Sequence, residues 1–155
     1  MARDIRKAKK RPRVDPANAP GPIEKRPQRA PQIGHNTEYL AWRTGWMDEH
    51  DDWGWSKVPK EKLREILEKL GHWEKKTWAQ VLTEDPDAQH DVEVPRLVKD
   101  AQDRLKKIHL EDYDSLFRFR FGGRERLWGI RQENIFYLLW WDPRHEVCPS
   151  TKKHT

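Results

Sequence analysis

Arg118, Arg120, Arg124, Arg126, Arg144 and His145 are the residues of this chain whose types and spacing could do chemistry. Arg118 and Arg120 alternate with Phe117, Phe119 and Phe121, and Arg124 and Arg126 follow across Gly122-Gly123. Arg144 and His145 come after a long apolar run, at the corner Asp142-Pro143-Arg144-His145. Guanidinium groups can hold a phosphodiester and stabilise the charge that builds on its oxygens. An imidazole, which titrates near neutral pH, can move the proton of a 2′-hydroxyl or of a leaving oxygen. The set suits RNA cleavage without a metal, with Arg118, Arg120, Arg126 and His145 as the candidate catalytic residues. Arg124, Arg144, Lys152 and Lys153 are candidates for further phosphate contacts. A blander reading stays open beside it, in which the arginines pair with acidic residues on a solvated face and His145 is a corner residue bonded to Asp142.

Other chemistries lack their residues. No two of the seven histidines stand four apart on a predicted helix with a carboxylate partner, so neither a metal site nor any cofactor is expected. The single cysteine, Cys148, excludes an internal disulfide and a cysteine zinc site. Gly122-Gly123 lies between strands and does not open a helix, so it is no phosphate-binding loop.

The elements that must position the arginines follow from periodicity. A period of two over Leu116–Phe121 reads as a strand with one apolar and one cationic face. Gly122-Gly123 then reverses the chain, Arg126–Ile130 resumes an extended pattern, and a second reversal falls near Gln132-Glu133-Asn134. Ile135–Trp141 is apolar throughout, which fits a central strand covered on both faces, and Asp142-Pro143 ends it. Upstream, Tyr39–Trp46 reads as a first strand. Pro59 opens a helix with a stripe of Leu63, Ile66, Leu67 and Leu70, closed by Gly71. Trp73 and Trp78–Leu82 form a shorter helical segment with Thr77 and Gln80 at capping-box spacing. Asp85-Pro86-Asp87 is a loop, and Pro95 starts a third helix with a stripe of Leu97, Ala101, Leu105 and Ile108 that must pack on the sheet. The expected class is α+β, an N-terminal strand and helices on a C-terminal three-stranded antiparallel meander.

Charge is unevenly placed along the 155 residues. Residues 1–36 carry ten Lys/Arg against three Asp/Glu, a net of +7, and six of the eleven prolines, and read as a disordered basic tail. Of the whole-chain +5 this leaves −2 for residues 37–155, so general basicity does not explain the domain, and local arginine placement matters more. The domain is expected over 37–147, with a short tail over 148–155. No run approaches the ~18 apolar residues of a membrane span, which makes a cytoplasmic protein without membrane contact the simplest reading.

Leu116-Phe-Arg-Phe-Arg-Phe-Gly-Gly-Arg-Glu-Arg-Leu127 resembles the strand, turn and strand start of the RelE/ParE-like family of small bacterial toxins, and the element order over residues 37–147 is similar to that family's. The resemblance implies a RelE-like fold and a metal-independent endoribonuclease that cuts ribosome-bound mRNA to a 2′,3′-cyclic phosphate, held in check by a cognate antitoxin protein. Carried over by position, it implicates Arg118, Arg120 and Arg126. The family's last catalytic group is often a C-terminal Tyr or His, and with no tyrosine beyond Tyr137 that place falls to His145 or, less well, His154. The string from Trp128 through Trp140-Trp-Asp-Pro-Arg-His145 is also similar to a set of bacterial proteins without an established activity.

Two alternatives from another class accompany this. One is a non-catalytic RNA- or ribosome-binding module in which Trp53, Trp55 or Trp141 stack on bases. The other is a protein-interaction module whose partner covers the open sheet face.

Overall fold

A row of hydrogen-bonded strands carries the arginines. The structure, a computed structural model, describes residues 35–84 and 89–150, so nearly all of the basic tail, the loop at 85–87, Lys152, Lys153 and His154 lie outside the described residues. In chain order the elements are β1 (Ala41–Arg43), α1 (Lys60–Trp73), α2 (Trp78–Glu84), β2 (His90–Glu93), α3 (Lys99–Lys107), β3 (Ser115–Arg120), β4 (Arg126–Gln132) and β5 (Ile135–Asp142). They build an α+β domain on one five-stranded sheet ordered β1-β5-β4-β3-β2. β2 through β5 pair antiparallel, and β1 joins β5 in parallel.

Alternation sorts the side chains onto two faces. Phe117, Phe119, Leu127, Phe136, Leu138 and Trp141 pack with Ile66, Leu70 and Trp73 of α1 and Trp78 and Val81 of α2. On the other face Leu116, Trp128, Ile130, Tyr137, Leu139 and Trp140 pack with Leu97, Ala101, Leu105 and Ile108 around α3. β5 is thus covered on both sides, as its unbroken apolar run implies. Thr77 and Gln80 close the expected capping box at the start of α2. The Thr77 N–H donates to Gln80 Oε1 at 2.9 Å, and the Gln80 N–H to Thr77 Oγ1 at 3.3 Å.

Some details depart from the periodicity reading. β2 is an added strand, pairing His90↔Arg118 through Glu93↔Ser115 at the sheet edge. It holds one buried apolar residue, Val92, so no alternation marks it. Gly71 does not end α1, which continues to Trp73 and buries that ring against Phe119 at 4.7 Å between centroids. The buried stripe of α1 is Ile66, Leu70 and Trp73, while Leu63 is 37% and Leu67 59% exposed. Pro95 sits in a short 3-10 turn, and α3 starts only at Lys99. Cys148 is buried in the α3-side core, so the packed chain runs past Val147.

A β-bulge locks the acidic, tryptophan-rich stretch onto the sheet. Trp128 pairs with Trp140 but Gly129 with Leu138, which leaves Leu139 as the extra residue. The Leu139 carbonyl accepts the Asp48 N–H at 3.0 Å and Trp55 Nε1–H at 2.9 Å, and the Trp141 N–H donates to the Trp53 carbonyl at 3.1 Å. Asp48, itself buried, then accepts both Nε and Nη2 of Arg104 at 2.8 Å and Trp140 Nε1 at 2.9 Å, tying α3 to β5. Trp53, Trp55 and Trp141 are buried, at 3%, 8% and 3% exposure, so the base-stacking role considered for them does not stand; their rings fill the core.

At the bulge a Cβ on Gly129 would lie 2.1 Å from the Tyr137 carbonyl oxygen and 2.5 Å from the Phe136 ring, whereas one on Gly122 would meet nothing. Gly129→Ala is expected to lower stability by about 3 kcal/mol through overpacking, and Gly122→Ala to leave it near wild type. Urea unfolding midpoints of both variants check this.

Candidate functional site

The pairing register places the sequence-predicted arginines in two adjacent rows. One row runs His90↔Arg118↔Trp128↔Trp140 across β2 to β5, and the next runs Arg120↔Arg126↔Asp142 across β3 to β5. All of these side chains lie on the α3 face, because Arg118 and Arg120 alternate with Phe117 and Phe119, which enter the opposite core. Arg120 and Arg126 therefore face each other directly, a like-charge cross-strand pair that disfavours the sheet unless something offsets it.

Asp142 ends β5 and shapes the corner after it. Its carboxylate is fully buried and accepts Trp128 Nε1 at 3.2 Å, the Glu146 N–H at 2.9 Å and the Val147 N–H at 3.0 Å. These bonds fold residues 143–147 back over the sheet and hold His145 at a φ of 58°, a left-handed conformation uncommon for a residue other than glycine. The Val147 carbonyl in turn accepts the Val98 N–H at 2.9 Å, and Cys148 Sγ lies 3.5 Å from the Arg96 carbonyl. The corner is thus anchored on the turn that leads into α3.

The fold brings Arg118, Arg120, Arg126 and His145 together. Arg126 is 6% exposed. Its Nη1 donates to the carbonyls of Gly123 at 2.7 Å and Glu125 at 2.9 Å, and its Nε is buried without a hydrogen-bond partner among the described residues. Nor does Arg126 form an ion pair with a carboxylate there; Asp142, its register partner, already serves three N–H groups. Burial, then the charges of Arg118 and Arg120, lower the Arg126 pKa to about 10, with Asp142 opposing, so the group stays cationic at neutral pH. Burial also lowers the pKa of Arg118. Arg118 Nη2 donates to His90 Nε2 at 2.8 Å. His145 Nε2 is buried and has no partner among the described residues. Burial and the charges of Arg126, Arg118 and Arg120 push its pKa below the ordinary 6.5, only Asp142 acting the other way.

The remaining candidates sit outside this group. Arg124 is exposed in the β3–β4 turn. Arg144 is exposed too, 3.9 Å from a Glu146 carboxylate oxygen, and Lys152 and Lys153 lie outside the described residues. His145 is not bonded to Asp142 as the bland reading has it; that carboxylate takes the backbone N–H groups just beyond. His90 is the site residue that sequence reasoning misses, because only the pairing of β2 with β3 brings it to Arg118.

Among the described residues one group, His50, Asp52 and Asp100, has metal-ligating atoms within 4.8 Å of one another. His50 Nδ1 accepts the Asp52 N–H at 3.0 Å, so the proton of the neutral ring is on Nε2, which faces Asp100 Oδ2 at 3.2 Å. A cation there would have to displace that proton, and the geometry fits a histidine–aspartate link better. No helix among the described residues is long and apolar enough to cross a membrane.

No protein-family model matches the chain, and neither does any curated protein or solved structure.

Asp142→Asn would turn one acceptor oxygen into an amine facing an N–H donor. The expected result is a loss of about 3 kcal/mol, since a buried donor loses its partner and Arg126 loses the negative charge of Asp142 that acts on it. A denaturant midpoint equal to wild type would contradict the role given to Asp142.

Proposed function

We propose that the chain is a RelE-like toxin, a metal-independent endoribonuclease in which Arg118, Arg120 and Arg126 hold the scissile phosphodiester of RNA and His145 moves the proton. The observation that carries this reading is the guanidinium of Arg126. It is buried, it faces Arg120, and it forms no ion pair with a carboxylate among the described residues, Asp142 acting on it only as a nearby charge. Like charges gathered partly out of water are unfavourable on their own, and a bound phosphate is the kind of group that would offset them. The order of strand, helices and antiparallel meander supports the same reading, since it is what the resemblance implies.

The chemistry follows from the protonation states. With its pKa lowered, His145 is mainly neutral at pH 7 and can accept the 2′-hydroxyl proton. The 2′-oxygen then attacks phosphorus, the bond to the 5′-oxygen breaks, and that oxygen takes a proton from water. The products are a 2′,3′-cyclic phosphate and a 5′-hydroxyl end. The arginines stabilise the charge that accumulates on the non-bridging oxygens. Ribosome-bound mRNA as the substrate form, and an antitoxin protein that covers the site, are part of the same proposal.

Arg126→Ala and His145→Ala are each expected to lower RNA cleavage by about 100-fold or more, measured as new mRNA ends after induced expression in a bacterial host. Folded variants that cut like wild type would remove the mechanism; binding without cleavage by the wild-type chain would leave an RNA-binding module.

The pH dependence is a separate check. A base must be neutral, so the cleavage rate is expected to fall as pH drops through a pKa below 6.5, the ordinary histidine value from which His145 is lowered. The residual activity of His145→Ala should lack that acid limb.

A further inference from the structure

α1 leaves one of its faces uncovered. Leu63 is 37% and Leu67 59% exposed, and with Lys60, Arg64 and Glu68 they line a shallow hollow. Lys60, Leu67 and Glu74 recur at seven-residue spacing, and Leu63 and Gly71 stand four residues to either side of Leu67, so all five lie along one side of the helix. Glu74 caps α1 in a helical conformation, φ −66° and ψ −12°, and so continues that line. Lys60, Arg64, Glu68 and Glu74 form no ion pair among the described residues, whereas Lys62, off this face, pairs with Glu65 and Glu125.

Two features make this face unfavourable while it stays bare. Gly71 lies inside the helix, where glycine costs more backbone entropy than alanine, yet a Cβ there would meet nothing in the chain. Close approach of a second backbone is the use that remains for it. The charges of the face also run against the helix dipole. Lys60 is the first residue of α1, at the positive end, and Glu74 is the cap at the negative end. Glu61 and His72, whose charges suit the dipole, lie off the face.

We propose that this face is the interface of a homodimer, in which α1 packs antiparallel on α1 of a second copy about a twofold axis at Leu67. The face is complementary to itself when turned end for end. Leu67 meets the partner's Leu67, Leu63 packs over the partner's Gly71, Lys60 comes beside the partner's Glu74, and Arg64 comes within reach of the partner's Glu68. The twofold axis repeats each of these contacts. A wholly acidic or wholly basic partner would answer only half of the face, and parallel packing would set like charges together. Two leucines per copy make a small apolar centre, so the dimer is weak, with a Kd on the order of 10 μM. α1 covers the sheet face opposite to the arginines, so the dimer leaves them open and does not depend on the nuclease reading.

Sedimentation equilibrium of the full chain tests this. Wild type is expected to be mainly dimeric at about 100 μM in low salt and to dissociate as salt is raised. Leu67→Glu should associate at least about tenfold more weakly while unfolding in urea like wild type. Lys60→Glu and Glu74→Lys, each of which sets like charges together twice, should each weaken the dimer about tenfold, and the double variant should return to within about threefold of wild type. Gly71→Ala should unfold at a higher urea concentration than wild type yet dimerise more weakly, a combination that a role confined to the single chain does not produce. A wild-type chain that is monomeric at about 100 μM overturns the proposal and leaves the face to a different protein. A Leu67→Glu variant that dimerises like wild type overturns it too, by placing the contact elsewhere, as does a double charge variant no tighter than the single ones.

Discussion

The buried carboxylate of Asp142 is the constraint on which the site depends. It is fully buried, at the end of a strand whose faces are both covered, and it accepts from Trp128 Nε1 and from the N–H groups of Glu146 and Val147. A buried carboxylate is tolerable only when its oxygens are satisfied. Satisfying them with backbone donors four and five residues on forces the chain to turn back over the sheet, and His145 takes up the left-handed conformation that this turn needs. None of these bonds goes to Arg126, its register partner.

Arg126 makes no ion pair with its register partner Asp142, whose hydrogen bonds among the described residues go to Trp128 and the backbone. Asp48 shows the alternative: it takes Arg104 in a two-point ion pair, with Trp140 as a third donor, and the result is a structural tie between α3 and β5. Arg104 is held more firmly in its charged form by that pairing, whereas Arg126 and Arg118 have their pKa values lowered. One fold thus contains an arginine spent on stability and, in Arg126, one whose Nε has no hydrogen-bond partner among the described residues. The second kind is what a phosphate site requires, and it is the physical basis of the proposed nuclease.

What could be read from the sequence was what local pattern decides. The Phe117–Phe121 alternation, the unbroken apolar run of β5 and the Thr77–Gln80 capping box are properties of neighbouring residues, and the elements form where the pattern puts them. Alternation also sufficed to put Arg118 and Arg120 on one face, while Arg126 joins them through the pairing of β3 with β4. What depended on partners distant in sequence was not legible. β2 owes its existence to pairing with β3, the parallel joining of β1 to β5 leaves no local mark, and Leu63 and Leu67 share the helical stripe with Ile66 although the sheet reaches only the other side of it. Trp53 and Trp55 could be read as base-stacking rings; the bulge at Leu139, which captures their loop, goes with their burial in the core.

The most direct measurement of the central claim is a titration of the protein with inorganic phosphate, followed by NMR at the arginine Nε–H groups and the His145 ring. If the cluster is a phosphate site, the Arg126 Nε–H signal shifts saturably, and the His145 pKa rises as the bound anion offsets the arginine charges that lower it. A His145 titration indifferent to phosphate, with the Arg126 signal unmoved, would contradict the account.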